Sequence, residues 1–158
     1  MVTFKKTNKF SNRGVKAESA MAKFLSVWSG ETTYREVNRL VDSKAAGRVI
    51  KAAAADFEYF EARWPSDTRH GLIEVKSTEH DYRLARDKLP QLARLRKRTK
   101  CGGKCLVAVY HSTLDIWRVV DVEWLLSNGD KGSWNLSDVK WYGALDDAMA
   151  GALPEVFG

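Results

Sequence analysis

Apolar positions recur at helical spacing near the start of the chain. Between residues 14 and 29, Val15, Glu18, Ala22 and Leu25 follow one another every three or four positions. The glycine directly after this run suits a helix C-cap. The pattern therefore predicts a helix over 14–29 that carries a glutamate on or beside its apolar stripe.

A second helical pattern covers residues 84–99. Pro90 lacks an N–H and cannot lie deep inside a straight helix, so we expect the main helix to begin near Leu89 with the proline in its first turn. Two shorter helices are predicted at 122–126, with Asp121 as N-cap, and at 145–153.

Alternating and β-branched runs predict the strands. Residues 56–62 and 71–77 alternate, and the turn signal Trp64-Pro65-Ser66-Asp67 between them favours a β-hairpin. Short apolar runs at 105–110 and 115–120 predict a central strand and its returning neighbour. Within the less regular segment 31–54, a short element near Tyr34–Val41 and a strand over 49–55 are expected. The element order α, β, β, β, α, β, β, α indicates an α/β layer fold.

Length and composition limit the class of protein. The chain has 158 residues, of which 44% are hydrophobic and 29% charged, so we expect one globular domain over 1–158. No apolar run is long enough to span a membrane, and the N-terminus lacks a secretory signal, so a cytoplasmic location is expected. Cys101 and Cys105 have no second Cys or His cluster, and reduced thiols are favoured over a zinc site.

Positive charge is concentrated in two blocks of a chain whose net charge is +6. Between residues 83 and 104, nine basic side chains stand against one acidic side chain, and the first sixteen residues carry five basic side chains and no acid. Residues 1–12 are expected to form a flexible basic arm. This asymmetry suits a surface that follows a phosphate backbone, although a solvated basic helix face is the alternative. The candidate DNA-binding residues are Lys5, Lys6, Lys9, Arg13, Arg94, Arg96, Lys97 and Arg98.

Two carboxylates and a lysine lie on the two strands of the predicted hairpin. Asp56 opens the first strand, and Glu74 and Lys76 point to the same side of the second. Carboxylate oxygens hold a hard cation such as Mg²⁺, and a nearby lysine prepares a water to attack phosphate. Exposed cross-strand salt bridges are the alternative. The pattern is typical of a magnesium-dependent phosphodiesterase.

Three further positions complete the candidate site. The backbone carbonyl of Val75 is a possible third oxygen ligand for the metal. Glu18 is a candidate ligand if it is buried, or a rim glutamate paired with an arginine if it is not. Gln91 is a candidate hydrogen-bonding partner for the water or the scissile phosphate, or else it caps a strand end.

The ordered motifs resemble the PD-(D/E)xK nuclease superfamily, and within it the RecU-type Holliday junction resolvases of bacteria. The similarity runs from Asn12 to about Leu126 through five short motifs. These are Asn12-Arg13-Gly14 with Glu18, Ala55-Asp56-Phe57, Ile73-Glu74-Val75-Lys76, Gln91 with Leu95, and Gly102-Gly103 before the strand at 105. Pro90 and Ala55 depart from the pattern of these resolvases, which usually have a histidine and a small hydroxyl residue or proline there.

The resemblance implies a restriction-endonuclease-like core with a central mixed β-sheet flanked by helices. It implies catalytic roles for Asp56, Glu74, Lys76, Gln91 and Glu18, Mg²⁺ as cofactor with Mn²⁺ able to substitute, and branched DNA as substrate. It also implies a homodimer, because resolving a four-way junction takes two symmetric nicks. Residues 31–54 are expected to hold a reduced form of the family's stalk. So short a version would suit a phage genome, which places the protein in a bacterial or phage-infected bacterial cell.

Three functions remain open on the sequence alone. The first is a structure-selective endonuclease that resolves four-way junctions. The second is another nuclease of the same fold, of restriction, exonuclease or flap-cleaving type. The third is an inert nucleic-acid-binding module, against which the retained Asp56, Glu74 and Lys76 argue.

Overall fold

The fold of the computed structural model is built around a mixed β-sheet. Backbone is described for residues 2–63, 66–129 and 132–145, and side chains for the same ranges except 2–13, 44, 49–51 and 63. The elements are, in chain order, α1 Val2–Gly30, β1 Arg35–Arg39, β2 Ser43–Ala45, β3 Arg48–Lys51, β4 Phe57–Arg63, β5 Asp67–Thr78, β6 Arg83–Ala85, a 3₁₀ turn Arg86–Lys88, α2 Leu92–Lys100, β7 Leu106–His111, β8 Ile116–Asp121, α3 Val122–Ser127, β9 Ser133–Asn135 and β10 Trp141–Tyr142.

Six strands form the main sheet in the order β1-β4-β5-β7-β8-β10. The predicted hairpin is confirmed, because β4 and β5 pair antiparallel with Phe57 opposite Ile73. The only parallel pair in the described sheet, β5 with β7, is connected through α2, as a parallel crossover requires. Two small two-stranded sheets, β2-β3 and β6-β9, complete the strands. The α/β layer fold and the mixed sheet flanked by helices are therefore confirmed.

Alternate side chains along β5 pack into two separate hydrophobic cores, one on each face of the main sheet. On one face, Ile73 and Val75 of β5 pack beneath α1. On the other face, Leu72 packs with α2 and α3, and the fully buried Trp134 of β9 belongs to the same cluster. The alternation expected for β5 is confirmed, and it directs Glu74 and Lys76 towards the α2 side.

Helix α1 differs from its prediction at its start and on its buried stripe. It begins at Val2, so the basic segment expected to form a flexible arm has a helical backbone from residue 2, and its flexibility stays a prediction. Residues 2–13 contain neither proline nor glycine, so nothing in them ends a helix. Val15 is 59% exposed, whereas Leu25 is buried as predicted, because the other buried positions lie about one residue before Glu18 and Ala22. The buried stripe consists of Ala17, Met21, Phe24, Leu25 and Trp28.

The segment before α2 is also more complex than the predicted helix over 84–99. Leu84 lies in β6, which pairs with β9, and the 3₁₀ turn follows before α2 begins at Leu92. The helix therefore starts after Pro90 rather than around it. Leu84 is fully buried, because the pairing of β6 with residues fifty positions away places it in the core cluster that contains Trp134. A pairing over that distance leaves no local signal in the sequence.

Of the remaining predicted strands and helices, some are confirmed and one has different bounds. Strands β7 and β8 and the short helix α3 lie where predicted, and Asp121 caps α3 by accepting a hydrogen bond from the Glu123 N–H at 2.9 Å. The strand expected over 49–55 ends at Lys51, because it pairs in a short hairpin with β2 and not with the main sheet. Trp141 of β10 is 56% exposed at the sheet edge. The helix expected over 145–153 and the turn residues 64–65 lie outside the described residues, apart from residue 145.

None of the helices in the described ranges combines the length and apolar composition needed to cross a membrane. Neither cysteine is in a disulfide: Cys101 is exposed and Cys105 is buried.

Gly71 of β5 lies where two segments approach closely. A Cβ at this position would overlap the backbone carbonyl oxygen of Lys104 and lie 2.8 Å from a ring carbon of Tyr59. Both neighbours are held in place, because the Tyr59 hydroxyl donates to the Lys104 carbonyl at 2.7 Å and the Lys104 N–H donates to the His70 carbonyl at 2.7 Å. Only glycine fits here without shifting the backbone.

We expect Gly71→Ala to lower the free energy of unfolding by about 3 kcal/mol, because backbone and two hydrogen bonds must shift to admit the methyl group. Urea denaturation of the two proteins measures the difference. Gly14→Ala is the matched control, since a Cβ there meets nothing within 4 Å and alanine favours a helix interior by about 1 kcal/mol. A fully stable Gly71→Ala variant would contradict this packing.

Candidate active site

Asp56 lies at the entrance of β4 and is fixed to the neighbouring strand. Its Oδ2 accepts a hydrogen bond from the Val75 N–H at 2.7 Å, and its own backbone carbonyl accepts one from the Leu40 N–H at 2.9 Å. The first bond brings its carboxylate beside Glu74. The structure thus joins the two acids that the sequence separates by eighteen positions.

Glu74 and Lys76 share one side of β5, as predicted. The Glu74 side chain is buried, with the residue 3% exposed, and the Lys76 ammonium lies 3.5 Å from its Oε1. The ion pair is therefore neither exposed nor cross-strand, so the alternative of a surface salt bridge between strands is wrong. A charged pair at this depth needs further partners or a ligand.

The second carboxylate oxygen of Glu74 has no such partner. Oε2 is buried and meets no hydrogen-bond donor within the described residues. Asp56 can bond to this carboxyl group only through a shared proton. Burial, followed by that bond and the charge of Asp56, raises the pKa of Glu74 to about 9, while Lys76 acts in the opposite direction. The pair therefore favours a positive species between or beside its oxygens.

All five predicted catalytic positions line one open cavity of about 1050 Å³. They come from four parts of the fold: α1, the entrance of β4, strand β5 and the residue before α2. Val75 lines the same cavity. The described contact of Val75 with Asp56 is made by its N–H, and the role of its carbonyl as a metal ligand stays a prediction.

Glu18 lies at the edge of this cavity and is already paired. Its Oε1 lies 2.8 Å from the Arg39 guanidinium, and both side chains are partly exposed. The structure bears out a rim glutamate with an arginine partner. A metal-binding role for Glu18 stays a prediction and would require release of Arg39.

Gln91 occupies the position before α2 without acting as a cap. Its side chain makes no capping hydrogen bond, and its Oε1 is buried without a partner in the described part of the chain. A buried amide oxygen of this kind costs free energy unless a ligand or water donates to it. This oxygen and that of Glu74 are two unsatisfied acceptors of one cavity.

The basic residues of α2 differ in what they contact. Arg94 donates to the Ala52 carbonyl at 2.7 Å, and Arg98 lies 3.7 Å from Glu58. Arg96 and Lys97 are exposed. Lys5, Lys6, Lys9 and Arg13 lie on the N-terminal part of α1, and their side chains are outside the described residues.

Sequence analysis missed several residues that line the cavity. His80 and Lys88 lie beyond the end of β5, and Asp42 lies before β2, with Oδ1 accepting from the Ala53 N–H at 2.8 Å. Each belongs to a loop or turn, and no periodicity or motif marks them. The one available signal was the short distance from Lys76 to His80 along the chain.

A buried histidine supports the turn that carries His80. The His111 Nδ1 lies 2.6 Å from the His80 carbonyl, and its Nε2 lies 3.0 Å from the Arg118 guanidinium. A carbonyl only accepts, so Nδ1 carries the proton and Nε2 accepts from Arg118. Burial is the main cause that lowers the pKa of His111, and the charge of Arg118 acts in the same direction, against the bond to His80.

This burial makes the stability of the protein depend on pH. Below the ordinary histidine pKa of 6.5, the unfolded chain binds a proton that folded His111 does not, so stability falls as pH decreases. We expect the His111 contribution to fall by up to about 1.4 kcal/mol per pH unit. The measurement is the unfolding free energy of wild type minus that of His111→Gln across this range, which cancels the other titrating groups. A difference independent of pH would contradict it.

The oxygen atoms of the cavity match the ligand requirements of a magnesium ion. No group of three or more His, Cys, Asp or Glu side chains within the described residues is arranged to hold a metal. Magnesium, however, takes only one or two carboxylates and fills its remaining positions with water or substrate oxygen. Asp56 and Glu74, with an unsatisfied oxygen on Glu74, fit that requirement.

Comparison with known proteins relates the fold to one solved structure in particular. No protein-family model and no curated protein matches the sequence. The fold is similar to that of Hjc, a Holliday junction resolvase from the archaeal hyperthermophile Archaeoglobus fulgidus, with a TM-score of 0.51 and 16% sequence identity. The match covers 92% of this chain and 100% of that chain. At this identity the likeness concerns the fold.

Proposed function

We propose that this chain is a divalent-metal-dependent endonuclease that resolves four-way DNA junctions by paired, symmetric nicks. The observation that carries the proposal is the convergence of Asp56, Glu74 and Lys76 in one open cavity, with an unsatisfied buried oxygen. The similarity of the fold to a Holliday junction resolvase supports DNA as the substrate.

Asp56, Glu74 and the Val75 carbonyl are the proposed ligands of Mg²⁺, for which Mn²⁺ substitutes. All three offer oxygen, which is what this hard cation prefers. When bound, the ion supplies positive charge beside the phosphate oxygens. It also satisfies the Glu74 oxygen that has no donor among the described residues.

The chain's own residues position the water and the phosphate. The Lys76 ammonium is held 3.5 Å from Glu74, where it orients the attacking water and neutralises charge that develops on the phosphate. Gln91 offers a buried amide oxygen that accepts a hydrogen bond from that water. The Val75 N–H holds the Asp56 carboxylate in place throughout.

The β2–β3 hairpin supports branched DNA as the substrate. It forms a separate two-stranded sheet whose turn, Ala46-Gly47, has positive φ at both residues. Val41 and Asp42 on one side and Ala53 on the other line the cavity, so the hairpin stands at its edge. We assign to it the role of the reduced stalk that contacts the junction. Paired nicks need two such sites, and a two-fold symmetric dimer supplies them.

A cleavage assay tests the proposal directly. A synthetic four-way junction, labelled in turn on each strand, is incubated with the protein and Mg²⁺, Mn²⁺, Ca²⁺ or EDTA. We expect symmetric nicks in two opposing strands with Mg²⁺ or Mn²⁺ and an intact linear duplex. Digestion of the linear duplex would favour another nuclease of this fold, and inertness with both metals would favour a binding module.

The exposed basic side chains of α2 are expected to bind the DNA backbone. Arg96 and Lys97 are exposed, and the helix begins directly after Gln91 in the cavity wall. We expect the double variant Arg96→Ala/Lys97→Ala to bind the junction more weakly and to reduce the slope of log K against log salt by about one for each lost phosphate contact. Junction binding with Ca²⁺ over a series of salt concentrations measures this slope.

Lys140→Ala is the matched control, because Lys140 is exposed beside β10 at the far edge of the sheet, where it packs over Tyr142. Its removal should leave the salt slope unchanged. Equal slopes for wild type and the double variant would mean that α2 faces away from the DNA.

A further inference from the structure

His80 lines the same cavity as Glu74 and Lys76 and is held by its own turn. Its Nδ1 accepts two backbone hydrogen bonds, from the Tyr82 N–H at 3.3 Å and from the Arg83 N–H at 3.1 Å. Its backbone N–H donates to the Thr78 hydroxyl at 3.2 Å. The ring is therefore fixed through one nitrogen, and the turn is closed around it.

Further contacts hold the backbone and the ring of His80. The buried His111 donates to its carbonyl at 2.6 Å, and the Tyr82 ring packs edge-on with a centroid distance of 4.8 Å. The position of this side chain is thus set by packing and hydrogen bonds before any substrate arrives. Such preorganised groups are characteristic of sites that stabilise charge.

The two bonds to Nδ1 determine which nitrogen carries the proton. A nitrogen that accepts from two N–H groups has its lone pair free of a proton, so the ring proton lies on Nε2. No hydrogen-bond partner of Nε2 is found within the described residues. His80 therefore offers one N–H donor at the cavity wall, and that donor is available to a ligand.

We propose that His80 is a phosphate-contacting residue, which donates its Nε2–H to a non-bridging oxygen of the DNA phosphate that is cleaved. This inference rests on the proposed nuclease function and adds a residue to its site. The cavity already supplies two carboxylates for a cation, and a hydrogen-bond donor on another residue that lines it would stabilise the charge that develops on the phosphate oxygens. In this proposal the ring acts as a hydrogen-bond donor and not as a general acid.

Two substitutions separate this role from a purely structural one. In His80→Asn the amide oxygen takes the place of Nδ1 and keeps the turn, but the donor at the Nε2 position is lost. In His80→Gln the amide nitrogen reaches the Nε2 position, but the acceptor of the turn is lost. We expect the Asn variant to melt like the wild type and to lose roughly 100-fold in the single-turnover cleavage rate.

The Gln variant should melt at a lower temperature and retain most of the cleavage rate. It should also keep the pH dependence of the wild-type rate, since the group supplies no proton. The opposite ranking, with Asn active and Gln inactive, would mean that His80 serves only the turn. A pH profile that changes with Gln would mean general acid catalysis instead. Either result overturns the inference.

Nitrogen NMR of the imidazole rings provides a readout that does not depend on cleavage. We expect the Nε2–H form of His80 in the free protein, and a downfield shift of that proton when a four-way junction is added with Ca²⁺. His70, which does not line the cavity, is the internal reference. An Nδ1–H form, or no shift with bound DNA, overturns the inference. If wild type fails to cut DNA yet this proton shifts, the proposed nuclease function fails while the phosphate contact stands.

Discussion

Asp56→Asn should abolish cleavage while leaving binding of the junction intact. The substitution removes the charge of a proposed metal ligand but keeps its size, and an amide oxygen can still accept the Val75 N–H now bonded at 2.7 Å. Loss of the ion's contribution, about 4 kcal/mol, lowers the single-turnover rate roughly 1,000-fold. The rate is measured with enzyme in excess over junction, and the affinity is measured with Ca²⁺.

Asp42→Asn is a close control for this experiment. Asp42 lines the same cavity, but its carboxylate accepts the Ala53 N–H, a bond that asparagine can also make. Its rate should stay near that of the wild type. If both variants lose activity equally, the negative charge of the whole cavity matters and no specific ligand role belongs to Asp56. If Asp56→Asn loses binding as much as cleavage, the assignment of Asp56 as a metal ligand is wrong.

The parts of the fold that were predicted correctly depend on local signals. The β4–β5 hairpin, β7, β8 and the Asp121 cap each follow from alternation, β-branching or a capping side chain within a few residues. The errors arose where distant pairing decides the structure. Leu84 fits a helical pattern in the sequence, yet its segment is a strand because it pairs with β9. Strand β3 pairs with β2 instead of extending to residue 55.

The features of the candidate site that were predicted also follow from local patterns, and those that were missed depend on other elements or on turn hydrogen bonds. The side shared by Glu74 and Lys76 follows from the two-residue period of a strand, and their meeting with Asp56 follows from the hairpin. The partners of Glu18 and Arg94 could not be predicted, because Arg39 and the Ala52 carbonyl reach them from other elements. His80 was missed for another reason: its fixed ring depends on hydrogen bonds within a turn, which hydrophobic patterns do not record.

Glu74→Gln should remove cleavage and at the same time stabilise the metal-free protein. The Glu74 carboxyl group is buried beside Asp56, and one of its oxygens has no donor among the described residues. Burial raises the pKa of Glu74, so folding must either bury its charge or protonate it, and glutamine avoids both costs. It also supplies an N–H₂ group that can donate to Asp56. We expect a gain of about 2 kcal/mol in the free energy of unfolding in EDTA, and a melting temperature higher by about 5 °C.

Glu74→Gln should raise stability in EDTA but reduce the stabilisation that Mg²⁺ provides. A ligand that binds only the folded state raises its stability, so the melting temperature of the wild type should rise with Mg²⁺ concentration. The variant, which lacks one of two carboxylates, should show little or no rise. Glu58→Gln is the control, because Glu58 lies on the same β4–β5 hairpin as Glu74. Its carboxylate is partly exposed and is paired with Arg98 of α2. Glu58→Gln should leave the free energy of unfolding in EDTA unchanged, and its melting temperature should rise with Mg²⁺ as that of the wild type does.

These two measurements together separate a functional carboxylate from a structural one. A structural Glu74 would gain more from its ion pair with Lys76 than it loses by burial, so its replacement would destabilise the protein in EDTA. If Glu74 is a metal ligand, its replacement should stabilise the protein in EDTA, because the buried carboxyl group lowers the free energy of unfolding until a cation binds. Destabilisation by Glu74→Gln with an unchanged response to Mg²⁺ would therefore contradict the metal site, whatever the effect on cleavage.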